Sequence, residues 1–459
     1  MIHSLERKSK VFRRSLCELT ASLQKQTGSS RSAPKQAKES VTGEVKVALI
    51  RASTIAHVEA PMSAQIEIRE FQSDDIESFH ALHDAVFPPV PLEEMRRWMM
   101  RDDVTAGVAV QDGRIVGEIP LHIRRFVLRP GVAVRVAFEH CVCVEEGMRG
   151  KGIGTRIQDA IRQFMRDRVE VLTVYRGDER SPAYNHYDSN GLTDCCYVRT
   201  WKLDAPGEVA EPPGDPLEAG EIVAREEEFA ADFRSAHEHA GGYEDRLPGF
   251  YETAFTQLET VELGSEYAAL VVERSGRLLG HLVLALRDDG PITVMELASR
   301  GRDRAVAMRL LRGACAVAED RGVGVTALLH DGGIYTSVFD ALGFAPQRRG
   351  EMIMACPLDW RRLARIVWTP QSELADVRVR VWTARDDFVV HEPGGEPSRE
   401  ITAELKHHQA VRWLMCRLDL APLVAQEIVT VHGARPGDIE ALSRAIPFAS
   451  WEYQGIDHI

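Results

Sequence analysis

The sequence has 459 residues, 44% of them hydrophobic and 27% charged, a composition typical of folded globular domains. No apolar run approaches the ~18 residues of a membrane-spanning helix, and the net charge is −13, so we expect neither a membrane nor a nucleic-acid partner. The eight cysteines are scattered without the spacing of metal ligands. We therefore expect buried thiols in a reducing cytoplasm and no metal site.

The first 61 residues differ from the rest of the chain. They carry 11 Lys and Arg against 5 Asp and Glu, a balance of +6, which leaves 45 basic and 64 acidic residues, a balance of −19, for the remainder. Stretches such as KQTGSSRSAPKQAKES are typical of disorder. We interpret residues 1–61 as a disordered extension upstream of a start at Met62, with an Arg- and Ser-rich targeting peptide as the alternative.

Strand and helix patterns begin at Gln65 and follow one another in a legible order. Alternation and helical spacing predict a strand, two helices, a hairpin turning at Asp112-Gly113, a further strand, a helix after Gly154, a strand, a short helix and a last strand. The residue ranges of these nine elements, in the same order, are 65–71, 73–87, 91–100, 105–128, 134–144, the helix through Ile157, Ile161, Phe164 and Met165, 169–176, 182–192 and 198–203.

The same order of elements recurs after a Pro- and Gly-rich linker at 205–220. The recurring segments are a hairpin at 267–286, a strand at 292–299, a helix at 305–322 and a strand with a short helix at 323–344. We interpret this recurrence as a divergent internal repeat. A third region, 359–459, combines alternating strands with a helical stretch at 410–427.

Residues 140–157, HCVCVEEGMRGKGIGTRI, place a glycine-rich turn between a buried strand and an amphipathic helix. Such a turn directs bare backbone N–H groups and a helix N-terminus at whatever lies in it. Both features favour an anion such as a phosphate.

This turn resembles that of the GNAT acetyltransferases. Arg149-Gly150-Lys151-Gly152-Ile153-Gly154 fits the family pattern R/Q-x-x-G-x-G/A, and Ala183–Leu192 resembles its A-x-x-x-Y-x-x-x-G-F element. The layout of the whole chain is similar to the Eis (enhanced intracellular survival) acetyltransferase family. The resemblance implies an α+β fold with a catalytic GNAT domain (62–204), a degenerate GNAT-like domain (205–358), each with a mixed sheet flanked by helices, and a sterol-carrier-like α/β domain (359–459).

The resemblance also implies an activity. We expect an acetyl-CoA-dependent N-acetyltransferase that acts on primary amines of a polycationic small molecule, aminoglycoside- or polyamine-like, or on lysine side chains, and that forms a homo-oligomer, a hexamer in the family. The alternatives are a GNAT specific for one metabolite or peptide N-terminus, and a non-catalytic CoA-binding sensor. The predicted contacts of acetyl-CoA are Val142, Cys143, Val144, Arg149, Gly150, Lys151, Gly152, Ile153, Gly154, Thr155, Pro182 and Ala183.

Two groups are needed for proton transfer. Tyr187 is the candidate acid for the departing thiolate, because a phenol is protonated at neutral pH, and Tyr184 is the alternative. For the base, Glu139 and His140 lie on adjacent strand positions that point to opposite faces, so one of them can face the cleft. By resemblance to the Eis enzymes, the carboxylate of Ile459 is the third candidate.

The second copy departs from the family pattern. Its equivalent stretch, ELASRGRDRAVAMRLL, lacks the paired glycines, and Phe339 stands where Tyr187 stands in the first copy. We therefore predict that the second copy holds no cofactor.

Overall fold

The computed structural model describes residues 65–176, 183–204, 216–257, 265–287, 290–330 and 333–457. By its contacts the chain divides into residues 1–61 and residues 62–459. The predictions made for 1–61, Pro182 and Ile459 fall outside the described residues.

The first copy of the repeat contains seven strands and four α-helices among its described residues. They are β1 (Glu67–Glu70), α1 (Ile76–Val86), α2 (Leu92–Met99), β2 (Val104–Gln111), β3 (Arg114–Arg129), β4 (Val132–Glu139), β5 (Cys143–Val144), α3 (Ile153–Met165), β6 (Val171–Arg176), α4 (Ala183–Ser189) and β7 (Thr193–Leu203). Short 3₁₀ turns precede α1 and α3.

The second copy repeats this order with one extra helix and one short extra strand ahead of its hairpin. Its elements are β8 (Leu217–Glu218), α5 (Ala219–Ala224), α6 (Glu226–Ala236), β9 (Tyr243–Glu244), α7 (Phe250–Phe255), β10 (Glu266–Arg274), β11 (Arg277–Leu286), β12 (Ile292–Ser299), α8 (Arg304–Asp320), β13 (Val325–His330), α9 (Thr336–Ala341) and β14 (Ala345–Pro357). Gly117 on β3 lies against α3, and Gly280 on β11 lies against α8. The two glycines therefore occupy equivalent positions in the two copies.

The third region forms a separate sheet, β16-β15-β17-β18, with helices. Its elements are α10 (Trp360–Val367), β15 (Val377–Trp382), β16 (Asp387–His391), β17 (Arg399–Glu404), α11 (His407–Leu414), α12 (Leu420–Ala425), β18 (Thr430–His432), α13 (Asp438–Ala445) and a final 3₁₀ turn (Gly455–Asp457). Its apolar core is continuous with that of the first copy, since Trp413 and Trp451 share one cluster with Phe126 and Val136.

The two copies share one mixed sheet, in the order β1-β2-β3-β4-β6-β14-β7-β13-β12-β11-β10-β8, with β5 and β9 both paired to β3. The last strand of the second copy, β14, lies between β6 and β7 of the first copy, and β7 in turn pairs with β13. Each copy thus completes its sheet with the other's last strand. The tandem α+β fold that was predicted is confirmed.

Two predicted elements are interrupted. The strand expected over 134–144 breaks after Glu139, with Cys141 at a φ of +37°, and resumes as β5. The helix expected over 410–427 breaks between α11 and α12, with Cys416 at a φ of +57°. The left-handed backbone at these two cysteines ends each element. Among the described residues, no helix has the length and apolar character needed to cross a membrane.

Candidate active site

The break between β4 and β5 opens the sheet beside β6. Strand β4 pairs with β6 as far as Glu139, which lies opposite Val174, whereas β5 pairs with β3, Val144 lying opposite Gly117. The described strands therefore leave the β6-facing backbone edge of Val142–Val144 without a strand partner. An extended ligand can add to an edge of this kind through main-chain hydrogen bonds.

The N-terminus of α3 lies at one end of this opening. Its N-cap is Gly152, which has no side-chain hydrogen bond capping the helix, so the first N–H groups of α3 stay available. Gly150 and Gly152 have φ values of +75° and +73°, and a Cβ at either position would meet no protein atom within 4 Å. Glycine is thus required here for its left-handed backbone, and the space that a Cβ would enter is open at both positions.

A cavity of about 650 Å³ joins the strand edge to the helix terminus. It is lined by Val142, Cys143, Val144, Met148, Arg149, Gly150, Gly152, Ile153, Gly154, Thr155, His186 and Tyr187. Nine of the predicted cofactor contacts belong to this lining. Lys151 does not: its side chain is exposed, with Nζ 3.3 Å from Met148 Sδ. The side chain of Ala183 lies outside the described part of the chain.

Tyr187 lies on α4 and reaches the cavity from a nearly buried position, 6% exposed. Burial, with smaller contributions from Glu139 and Cys141, raises the pKa of its phenol well above the ordinary value. The phenol therefore stays protonated at neutral pH, which is the form that can supply a proton. The side chain of Tyr184, the alternative acid, is not among those described.

Glu139, at the end of β4, is buried against α3. Its Oε2 accepts a hydrogen bond of 2.6 Å from Gln158 Nε2, and its Oε1 has no hydrogen-bond partner among the described residues. Burial raises the pKa of Glu139 to about 8, a rise that Gln158 and Arg162 partly oppose. A carboxyl group with such a pKa can gain and lose a proton near neutral pH.

His140 lies against a different set of neighbours, packing near Trp98 and Phe138. Its Nε2 lies 3.3 Å from Arg124 Nη2. A guanidinium group only donates, so His140 Nε2 accepts and the ring carries its hydrogen on Nδ1. The lone pair needed by a base is already engaged with Arg124. Neither Glu139 nor His140 is among the residues that line the cavity, so the choice between them as base stays a prediction.

The C-terminal segment is docked as far as the structure describes it. Arg124 Nη1 donates to the carbonyl of Asp457 at 2.7 Å, and Tyr453 Oη donates to the same oxygen at 2.9 Å. Trp451 pairs with Gly241 in a parallel bridge. Arg124 thus contacts both this segment and His140. The role expected for the Ile459 carboxylate stays a prediction.

Sequence reasoning missed three side chains of the site, Gln158, His186 and Arg124. Gln158 is fully buried on α3 beside Ile157 and Ile161, so a polar residue on the apolar face of a helix was the available signal. The ring of His186 lies 3.1 Å from the position that a Cβ on Gly154 would take. No local pattern distinguishes His186 or Arg124.

Comparisons with known proteins agree with this geometry. Residues 68–190 match the acetyltransferase (GNAT) family. No curated protein matches the sequence.

Solved structures share the architecture at low sequence identity. A probable N-acyltransferase from Enterococcus faecalis is 11% identical, with a TM-score of 0.65 over 85% of this chain and 99% of its own. A GCN5-related N-acetyltransferase from Kribbella flavida is 15% identical, with a TM-score of 0.60 over 86% and 99%. Eis1 from Mycobacterium abscessus is 14% identical, with a TM-score of 0.53 over 85% and 99%.

The family match over residues 68–190, together with the cavity between an open strand edge and an uncapped helix, defines the class of the first copy: it is an acetyltransferase (GNAT) domain. The two copies and the third region together have the fold seen in Eis1.

Proposed function

We propose that the protein transfers an acetyl group from acetyl-CoA to primary amines of a polycationic small molecule or of lysine side chains. The observation that carries the proposal is the cavity in which Tyr187 faces the uncapped start of α3 and the open edge of β5. The net charge of −13 also favours a cationic acceptor.

The residues of the cavity fit acetyl-CoA. Backbone N–H groups from Gly150 to Thr155 would hold the pyrophosphate, because they belong to the turn and the uncapped helix start. The free edge at Val142–Val144 would hold the pantetheine arm. Arg149, whose Nε donates to Val144 O at 2.9 Å, places a cation beside this edge. When bound, acetyl-CoA supplies an activated thioester carbonyl.

The protonation states of Glu139 and Tyr187 suit them to the roles of base and acid. Glu139, with its pKa near 8, accepts the proton that an acceptor ammonium must lose before the amine can attack. The N–H groups of Val142 or Cys143 polarise the acetyl carbonyl. Tyr187 donates its phenolic proton to the departing sulfur. The amine nitrogen bonds to the carbonyl carbon and the C–S bond breaks, and the second proton that the nitrogen loses on becoming an amide returns to the Tyr187 phenolate. Glu139 alone ends protonated, and it releases that one proton to solvent.

The carboxylate of Ile459 is the alternative base. An amidated C-terminus, made by semisynthesis, keeps the shape of the native terminus and removes its charge. Equal rates for the amide and the acid would leave the role to Glu139. A loss of rate in the amide that matches the loss in Glu139→Gln would assign proton removal to both groups.

Release of free CoA thiol across a panel of amines tests the proposal. The panel contains an aminoglycoside, a polyamine, a lysine-containing peptide with a blocked N-terminus and the same peptide with a free N-terminus and no lysine. We expect thiol release with at least one of the first three, and a much lower rate with Tyr187→Phe. Binding of acetyl-CoA without thiol release for any amine would contradict the proposal.

A further inference from the structure

The helix that carries Tyr187 ends in a defined hydrogen-bonded turn. Gly191 N–H donates to Asp188 O at 2.9 Å, and Leu192 N–H donates to Tyr187 O at 3.0 Å. This pair of bonds is a Schellman motif, in which the residues after the helix bind back to its last turn. The backbone position of Tyr187 is therefore tied to that of Gly191 and Leu192.

Three side chains of the third region bind the carbonyls that follow this turn. His407 Nε2 donates to Gly191 O at 3.2 Å, Arg412 Nε to Asp194 O at 2.6 Å and Arg417 Nε to Cys195 O at 3.2 Å. We call His407, Arg412 and Arg417 the carbonyl clamp. It joins the third region to the segment immediately after Tyr187.

His407 is itself held in place. Its Nδ1 lies 3.1 Å from Asp386 Oδ2, and the ring of Trp360 meets it edge to face at 5.6 Å. A carboxylate and a backbone carbonyl both only accept, so Nδ1 donates to Asp386 Oδ2 and Nε2 donates to Gly191 O. The carboxylate on one side and the indole on the other fix the direction of this bond.

We propose that the carbonyl clamp, and His407 above all, positions Tyr187 for proton transfer; this rests on the function proposed above. Helix α4 has seven residues, too few to be stable by itself, so its position depends on tertiary contacts. On its C-terminal side the clamp supplies such contacts. A shift of ~1 Å in a reacting group can cost ~10²-fold in rate. Through the carbonyl clamp, whose residues lie outside the cavity lining, the third region thus takes part in catalysis.

The test compares two substitutions of His407. His407→Ala removes the donor, and His407→Gln keeps an amide N–H donor toward Gly191 O. We expect kcat to fall by ~10- to 10²-fold in the alanine variant, with an unchanged KM for acetyl-CoA and most of the rate restored in the glutamine variant. His432→Ala is the matched control, because His432 is an exposed histidine of the same region, paired with Glu404 at 3.1 Å. Its kcat should equal that of the wild type.

Full activity of His407→Ala would overturn the proposal, and so would equal losses in the alanine and glutamine variants. If His407→Ala does not fold, Asp386→Ala replaces it, and an undiminished kcat there has the same meaning. Hydrogen exchange over 183–195 separates this proposal from the function proposed above. Even if no amine is acetylated, exchange at Gly191 and Leu192 should be faster in the alanine variant alone, and unchanged exchange would overturn the clamp.

Discussion

The two copies of the repeat have the same fold, but the start of the central helix is uncapped in the first copy and capped by a side chain in the second. In the first copy, α3 begins at Gly152 with no side chain on its free N–H groups. In the second, Asp303 caps α8, and its carboxylate accepts from Ala305 N at 2.8 Å and Val306 N at 3.3 Å. A negative charge thus already occupies the place that an anionic ligand would need.

The corresponding strand edges of the two copies also differ: the β6-facing edge of β5 has no partner among the described strands, whereas the edge of β12 is occupied. In the second copy β12 pairs with β13 over Ile292–Val294 and then meets other groups of the chain. Leu297 N donates to Gln454 Oε1 at 3.4 Å, and Ser299 N donates to Tyr335 Oη at 2.8 Å. The position in the second copy that corresponds to the open cleft beside β5 is therefore filled by Tyr335 and the C-terminal segment.

Buried ion pairs hold this segment against the second copy. Arg246 binds Glu296 at 2.6 Å and also binds Asp457, and all three are buried. Charges in such a place are tolerated because each has a partner. One fold thus yields a ligand cleft in one copy and a docking site for its own chain in the other, and a few residues decide which.

The largest effect should come from the acid of the first copy. Tyr187→Phe removes the donated proton, so kcat should fall by ~10² to 10⁴, with unchanged acetyl-CoA affinity by calorimetry. The matched control is Tyr335→Phe in the second copy, which loses the bond to Ser299 N. It should keep kcat and lose about 1 kcal/mol of stability. A fully active Tyr187→Phe would transfer the role to Tyr184.

Glu139→Gln should lower kcat by ~10²-fold and change the pH dependence. As a base Glu139 acts when ionised, so the wild-type rate should rise with pH through about 8, the raised pKa of this buried carboxyl. The glutamine variant should lack that limb of the pH–rate profile. A retained limb would assign it to another group.

The same pKa predicts an effect on stability. The folded state binds the Glu139 proton more tightly than the unfolded chain, whose carboxyl titrates near ~4.3. The free energy of unfolding should therefore decline as pH rises from about 4 to about 8. Denaturant unfolding of Glu139→Gln should show a smaller decline than the wild type.

Substitution in the glycine turn of the first copy should lower acetyl-CoA affinity, and substitution in the corresponding turn of the second copy should not. Gly152→Val forces a β-branched residue into a left-handed backbone, at a cost of about 1–3 kcal/mol, and acetyl-CoA affinity should fall by at least ~10-fold. Gly301→Val is the control, since Gly301 has a φ of +62° and equally open space. It should bear similar strain and leave affinity unchanged; equal losses of affinity would contradict the assignment of the phosphate turn.

The smallest effect is expected at the cap of the second copy. Asp303→Ala should cost about 1 kcal/mol of stability, the usual effect of losing an N-cap. It should not create a second cofactor site, because Gln454 and Tyr335 still fill the strand edge. Calorimetry should give one acetyl-CoA per chain for both proteins. A stoichiometry of two in the variant would show that Asp303 alone excludes the cofactor.

Local patterns were enough to predict the order of elements, the repeat and the glycine turn. Alternation and helical spacing follow directly from backbone geometry, so they can be read within a window of a few residues. The break at Cys141 could not be read in this way. Valines and cysteines on both sides continue the strand pattern, and nothing in that pattern signals the left-handed φ of +37° at Cys141.

By itself, then, the sequence determined the strand–turn–helix and the internal repeat, because each depends on neighbours along the chain, and the family resemblance added the tandem α+β fold. Tertiary structure alone decided that β14 lies between β6 and β7, that Arg124 engages the lone pair of His140, and that His407 binds Gly191 across 216 residues of sequence. The physical reason is that these contacts join groups far apart in the chain. Burial favours a hydrogen-bond partner for a polar group, and packing decides which one it meets.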